Sequence, residues 1–489
     1  MIVVKFGGTS VGDAAAIERA AEIVRGRLER RPLVVVSALA GTTNALLQIA
    51  DQAAAGQLIG AARGVEALRT RHIETAEALL AGAPDANDTI ADLSSRFDEL
   101  ASLAEALSVL GHLTPRSQDA IAAKGEMFSS LLVVAAFQAR GLPAEHVDAT
   151  KVMFTDDRFG RAEPRTERIA EATQRVLRPL LEHGRVPVTG GYVGATDTGV
   201  VTTLGRGGSD LSAALFGAAL GADVIEIWTD VDGMLTADPR VVSGAALIER
   251  IRFDEASELA SFGARVLHPN TIFPAVRLGI PVYVYNSRRP EGRGTLITYD
   301  APIIPVRAIA GKTGITVVRI RSPRMLLQHG FLRTIFEVFE RHRTSVDVVA
   351  TSEVSVSVTI DDPSHLDTLT VDLAHLGDVS VERNRGILAI VGSGLAQDST
   401  TMARALAAIA PARVHMLSLS ASGINLTVLL DGEDVGRAMV AVHAAFFQRQ
   451  PTGTEPETGT GTGVKTGTAA AAGAGTAIRP GVGGRAAEP

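Results

Sequence analysis

The chain opens on an apolar, β-branched run, Met1 to Val4, interrupted by Lys5-Phe6-Gly7-Gly8. That pattern predicts a buried strand running into a glycine turn. Ile17, Ala20, Ala21, Val24 and Leu28 then recur at helical spacing. The apolar run 33–36 predicts a second strand, and 37–44 reads as a loop of small residues. From 53 to 106 the chain is rich in Ala, Leu, Glu and Arg, which predicts a helical layer or insertion. Glu126 opens a further helix ending near Arg140, with Gly141 and Pro143 as stop signals. More strands are expected at 186–189, 224–229 and 281–285. Strands alternating with helices argue for a layered α/β domain with a largely parallel sheet, ending near Ala301.

Beyond Ile315 the rhythm changes. Strands are expected at 315–321, 346–350, 354–360 and 379–382, and helices at 331–342 and 365–376, which together make one βαββαβ unit. A second unit follows: strand 387–391, helix 399–409, strands 414–418 and 425–430, helix 435–446. It lacks its sixth element unless a strand at 306–310 supplies it. The expected domains are therefore 1–301, 302–384 and 385–450. Residues 451–489 are Gly, Thr, Ala and Pro with almost no large apolar side chains. Such a segment buries too little surface to offset ordering entropy, so it reads as a disordered tail.

Composition narrows the function classes. The 489 residues suffice for three domains, and 46% of them are hydrophobic. There is no cysteine, which excludes disulfides, thiolate catalysis and thiolate-held metal and suits a reducing cytoplasm. No charged segment leads into a long apolar run at the N-terminus, so a signal peptide is not expected. No stretch approaches the ~20 apolar residues of a membrane span. A net charge of −7 without a dominant basic block argues against nucleic acid as the main partner.

Several constellations could carry chemistry. At a strand–glycine–helix junction, backbone N–H groups and the helix dipole attract anions, and Lys5 adds a full charge. The spacing is not that of a Walker A loop, and a tight turn with a surface lysine is the alternative. In Thr202 to Asp210 an arginine stands among glycines, and Arg206 offers a planar fork for a carboxylate or phosphate. A helix is expected from Leu211, capped by Ser209 or Asp210. Glu126 is either a ligand or an ordinary first-turn glutamate. Thr43 lies in a small polar loop. Thr229-Asp230 follows an apolar strand, and a carboxylate at the C-terminal end of a parallel strand is well placed for a ligand. His268 has no second histidine at metal-binding spacing, and Asp156-Asp157 reads as a loop, so no protein-held metal is expected.

In order along the chain, VVKFGGTSV (3–11), RFGRAEP (158–164), TTLGRGGSD (202–210), IWTDVDG (227–233), TADPRVV (236–242) and FGARVLHP (262–269) resemble the aspartate kinases of the amino-acid kinase family. SVDVVATSEVSVSVT (345–359) extends the resemblance into the C-terminal half, closest to the monofunctional, lysine-sensitive bacterial type. The resemblance covers nearly all of 1–447. It implies a three-layer αβα kinase domain followed by two ferredoxin-like ACT modules. It also implies ATP-dependent phosphorylation of the side-chain carboxylate of L-aspartate, with Mg²⁺ bridging phosphate oxygens. Lys5, Gly7 and Gly8 would serve the transferred phosphoryl group, with Asp210 and Arg265 beside it. The family has lysine where Arg265 stands. Thr43, Glu126, Arg206 and Ser209 would hold aspartate, Glu126 facing the ammonium and Arg206 the α-carboxylate. Thr229, Asp230 and Arg240 match nucleotide contacts, and Leu235 replaces an aromatic residue.

In lysine-sensitive relatives the inhibitor site includes positions matching Met325, Phe331, Leu332, Val346, Asp347, Ser352 and Glu353, while Gln328 replaces a serine. The same resemblance implies a cytoplasmic homodimer, or dimer of dimers, joined through the ACT modules. The alternatives are another carboxylate kinase of this fold and an amino-acid-sensing protein whose kinase site has decayed.

Overall fold

The computed structural model describes residues 1–262, 271–326 and 328–448. Arg265, His268 and the tail lie outside them. The N-terminal part is built on β1 (Ile2–Phe6), β2 (Pro32–Val36), β3 (Ala144–His146) and β4 (Val186–Gly190). A small hairpin, β5 (Val193–Ala195) and β6 (Val201–Thr203), follows, then β7 (Val224–Thr229), β8 (Arg250–Ile251), β9 (Val282–Asn286) and β10 (Thr295–Ile297). The main sheet runs β3-β4-β2-β1-β7-β9-β10-β8. Every neighbouring pair is parallel except β9 and β10.

β1 is central and buried along its whole length. Side chains alternate across a strand, so Ile2, Val4 and Phe6 join one apolar layer with Ile17, Leu46 and Phe128. Val3 joins the other, with Ala213, Phe216 and Leu220 of the Gly208–Leu220 helix. The same alternation turns Lys5 toward that helix. Helices Leu58–Leu80 and Ala86–Leu110 fill the region 53–106 read as a helical layer, whereas helix Thr42–Ala54 begins inside the stretch 37–44 expected as a loop, so Thr43 is a first-turn helical residue.

Two further expectations change here. The Gly208–Leu220 helix starts three residues earlier than expected, with Gly207 at its N-cap at φ +76°. Ser209 and Asp210 are therefore first-turn residues, and Asp210 pairs with Lys5 instead of capping. The stretch Pro115–Ala139 does have the length and mean hydropathy of a membrane span. It is divided between helices Pro115–Ala122 and Lys124–Ala139 and is largely buried inside the fold.

The C-terminal part forms one antiparallel sheet from β11 (Ala308–Arg321), β12 (Val349–Thr351), β13 (Ser355–Ile360), β14 (Asp378–Val391), β15 (Met416–Leu419) and β16 (Asn425–Asp431). Its order is β12-β13-β11-β14-β16-β15. The expected strands 306–310 and 315–321 are one strand, as are 379–382 and 387–391. Register shifts on either side of Ile315, next to Gly314 at φ +79°, carry β11 across the join without leaving the sheet. The first unit comprises the second half of β11, β12, β13, the first half of β14 and helices Phe331–Arg341 and Leu366–Ala374. The second comprises the rest of β14, β15, β16 and helices Ser399–Ala408 and Val435–Phe447. Its fourth strand is the first half of β11, paired with 386–391 of β14.

Candidate active site

A cleft of about 800 Å³ opens at the C-terminal ends of β1 and β2, beside the point between β1 and β7 where the strand order reverses direction. Lys5, Gly8, Thr43, Glu126, Arg206, Ser209 and Asp210 all line it. Lys5 Nζ lies 2.5 Å from Asp210 Oδ1, and both side chains are largely buried. Each charge thus has its counter-ion inside a site largely withdrawn from solvent.

Glu126 stands in the first turn of the Lys124–Ala139 helix and is 3% exposed. A Cβ on Gly190 would sit 3.0 Å from its Cβ, so the end of β4 closes tightly over it. Burial pushes its carboxyl up to about 8, against the opposing pull of the Ala38 N–H, its own backbone and Lys5. Oε2 has no hydrogen-bond partner. A buried acceptor left unmade is costly, and an incoming ammonium would satisfy it. Ser209 accepts a hydrogen bond from the Ser37 hydroxyl at 3.0 Å. Arg206 is exposed and makes no ion pair among the described residues. The cleft thus presents a buried carboxyl, a guanidinium without an ion pair among the described residues, and a lysine–aspartate pair.

The remaining candidates lie elsewhere. Gly7 donates its N–H to the Trp228 carbonyl at 2.9 Å, tying the end of β1 to β7, and this N–H is therefore committed. Thr229 and Asp230 follow at the end of β7, with Asp230 exposed. Leu235 is half-buried and bridges Leu247. Arg240 is exposed and held by Asp238 at 2.6 Å. These four residues are outside the cleft lining, on the β7 side of β1.

In the first C-terminal unit, the Ser322 N–H donates to the Val354 carbonyl and brings the 322–332 loop to the β12–β13 turn. Met325, Leu332, Ser352 and Glu353 lie on these segments, but the Phe331 side chain is buried in the unit's core with Ile335 and Val338. Val346 and Asp347 precede β12, at its other end. Desolvation first, then the Asp361 carboxyl, push Asp347 up to about 7, with Lys312 opposing.

Residues 1–286 match the amino acid kinase family, and 388–446 match an ACT domain. Lysine-sensitive aspartokinase 3 of Escherichia coli is 38% identical over 459 residues, 92% of this chain and 99% of the relative. The chain belongs to the aspartokinase family. Chloroplastic aspartokinase 3 of Arabidopsis thaliana is 34% identical, with 91% of this chain and 81% of that one covered. Among solved structures, E. coli aspartokinase III in complex with aspartate and ADP (R-state) aligns with a TM-score of 0.80 at 37% identity, over 92% of this chain and 100% of that one. The same enzyme with lysine and aspartate (T-state) aligns at 0.77 and 38%, with the same coverage.

Sequence reasoning missed two cleft residues of this aspartokinase. Tyr192 adopts φ +64°, rare for a non-glycine, and lines the cleft. Asp119 is 2% exposed and also faces it. Neither belongs to a motif. Only an acid on a helix that turns out to be buried could have signalled Asp119.

Proposed function

We infer that this chain transfers the γ-phosphoryl group of ATP to the side-chain carboxylate of L-aspartate, giving 4-phospho-L-aspartate and ADP. The observation that carries the reading is the cleft's charge arrangement: Glu126 buried with an oxygen unpartnered among the described residues, Arg206 without an ion pair among them, and the Lys5–Asp210 pair at 2.5 Å in the same cleft. An amino acid needs an anion for its ammonium and a cation for its α-carboxylate, and a simple dicarboxylate needs only the second. The relatives named as aspartokinases support the choice of substrate.

The nucleophile is a carboxylate, ionised at neutral pH, so no general base is required. One of its oxygens attacks the γ-phosphorus, and the bond to the β-phosphate's bridging oxygen breaks. Lys5 stabilises the charge that spreads over the phosphoryl oxygens in flight. Thr229, Asp230, Leu235 and Arg240 lie on the nucleotide side, and Arg265 belongs to the same reading. Mg²⁺, carried in on the phosphates, would neutralise charge there. Asp210, with Oδ1 paired to Lys5, would offer it at most its other oxygen, so phosphate oxygens and water would supply most of its ligands.

Lysine is the inhibitor in this reading, bound by the first C-terminal unit through Met325, Leu332, Val346, Asp347, Ser352 and Glu353, with the T-state relative in support. Cytoplasmic location, dimerisation through the C-terminal units and a place at the head of lysine, threonine and methionine biosynthesis complete it. The test is aspartate-dependent ADP formation with hydroxylamine trapping of the acyl phosphate, with and without lysine and threonine. Arg206→Ala should raise the aspartate KM and leave ATP binding intact, and Lys5→Ala should lower kcat. Equal turnover of glutamate or acetylglutamate would overturn the substrate assignment.

A further inference from the structure

We propose that Asp119 is a positioning residue that sets Arg206 in place and thereby sets the enzyme's preference for a substrate with an α-carboxylate. Asp119 sits on the Pro115–Ala122 helix, one short helix before Glu126. Its carboxylate accepts the Gly160 N–H at 2.9 and 3.0 Å, the Thr203 N–H at 2.9 Å and the Thr203 hydroxyl at 2.7 Å. It therefore joins three segments that are distant in sequence.

Thr203 ends β6, and Arg206 is three residues beyond. Between them Gly205 takes φ +75° and lies against the Gly160 carbonyl, 3.2 Å from where a Cβ would stand. The 158–161 and 204–207 loops are thus stacked, and both hang from one carboxylate. Among the described residues Arg206 has no side-chain ion pair to fix it, so its location is inherited from this backbone. An amide at 119 would turn an NH₂ toward a backbone N–H and lose part of the anchor.

The proposal rests on Arg206 reading the α-carboxylate, and the experiment separates the two. Asp119→Ala, Asp119→Asn, Thr203→Val and Arg206→Ala are compared for the aspartate and ATP KM, kcat, melting temperature and inhibition by 3-aminopropanoate, which is aspartate without its α-carboxylate. The readout is the preference for aspartate over 3-aminopropanoate. Arg206→Ala should abolish it. Asp119→Ala should lower it by about tenfold with little change in the ATP KM, as expected for a group displaced by a fraction of its working distance. Asp119→Asn and Thr203→Val should fall between. If Arg206→Ala keeps the preference, the reading of Arg206 fails. If Arg206→Ala removes it and the Asp119 and Thr203 variants keep it while kcat and stability fall, Asp119 is structural only and the proposal is overturned. Thr203→Val removes one hydroxyl and leaves Asp119 in place, so the test survives if Asp119→Ala does not fold.

Discussion

His443 Nε2 lies 2.9 Å from Thr236 Oγ1, and both residues are buried. This contact joins the last helix of the C-terminal part to the segment that follows β7. The Thr236 carbonyl also accepts the Ile309 N–H at 2.8 Å, from β11. Ala237 and Val242 pack among Leu388, Val435 and Met439. The stretch between Leu235 and Arg240 is therefore part of the core of the second unit. Removing the imidazole should loosen the nucleotide side first. His443→Ala is expected to raise the ATP KM about threefold or more, with a smaller effect on aspartate, in steady-state kinetics. A rise confined to the aspartate KM would contradict this.

In the proposed reading, where Glu126 takes the substrate's ammonium, substrate binding is pH-dependent. With its carboxyl raised to about 8, it is mostly protonated at pH 7 in the empty cleft. An ammonium placed beside it favours the carboxylate, so binding expels a proton. Affinity for aspartate should rise as pH rises toward 8 and weaken as pH falls below it. Calorimetry at pH 7 in buffers of different ionisation enthalpy should show close to one proton released, and none in Glu126→Gln.

Glu255 anchors the C-terminal sheet to the Phe253–Ser261 helix. It is fully buried and accepts from Arg307 Nε at 3.1 Å, from the Ser393 N–H at 2.9 Å and from the Ser393 hydroxyl at 2.8 Å. Glu255→Ala leaves Arg307 buried without its counter-ion, at a cost of about 3–5 kcal/mol in thermal or urea unfolding. Glu255→Gln keeps the acceptor and should cost less. In that milder variant, uninhibited turnover should persist while the lysine concentration needed for half-inhibition rises.

His72 confers acid sensitivity. It lies fully buried against Phe97 and Phe128, its Nδ1 donating to the Leu68 carbonyl at 2.7 Å. Burial lowers it from 6.5 to about 4. The unfolded chain takes up the proton first, so native stability is lost as pH falls from about 6.5 toward 4, by about 3 kcal/mol in all. In melts from pH 7.5 to 4.5, His72→Leu should be less stable at the top of the range, and its decline should be shallower.

Much of this was legible in the sequence for physical reasons. β1 and β7 are mostly apolar runs, broken only by Lys5 in β1 and by Glu226 and the terminal Thr229 in β7, and the stretch 53–106 has the composition of a helical layer. Lys5, Glu126, Arg206 and Asp210 stand in glycine-rich or helix-opening contexts whose chemistry is local. Asp119 does not, because its partners Gly160 and Thr203 are 41 and 84 residues away. Local pattern also divided β11 and β14. A glycine at 314 and the polar run Glu382 to Arg385 look like strand ends, and only cross-strand pairing shows that the ladder continues.

Because the first half of β11 closes the second C-terminal unit, the two units are nested, with the first inserted into the second. A fragment beginning at Gly386 would lack a strand and expose the open edge of β14. A fragment beginning before Ala308 would hold both units whole. The register shifts at Ile315 separate the two halves of β11, so each half keeps its own pairing. Yet both units are built on the same two strands, and a displacement of either whole strand is shared by them.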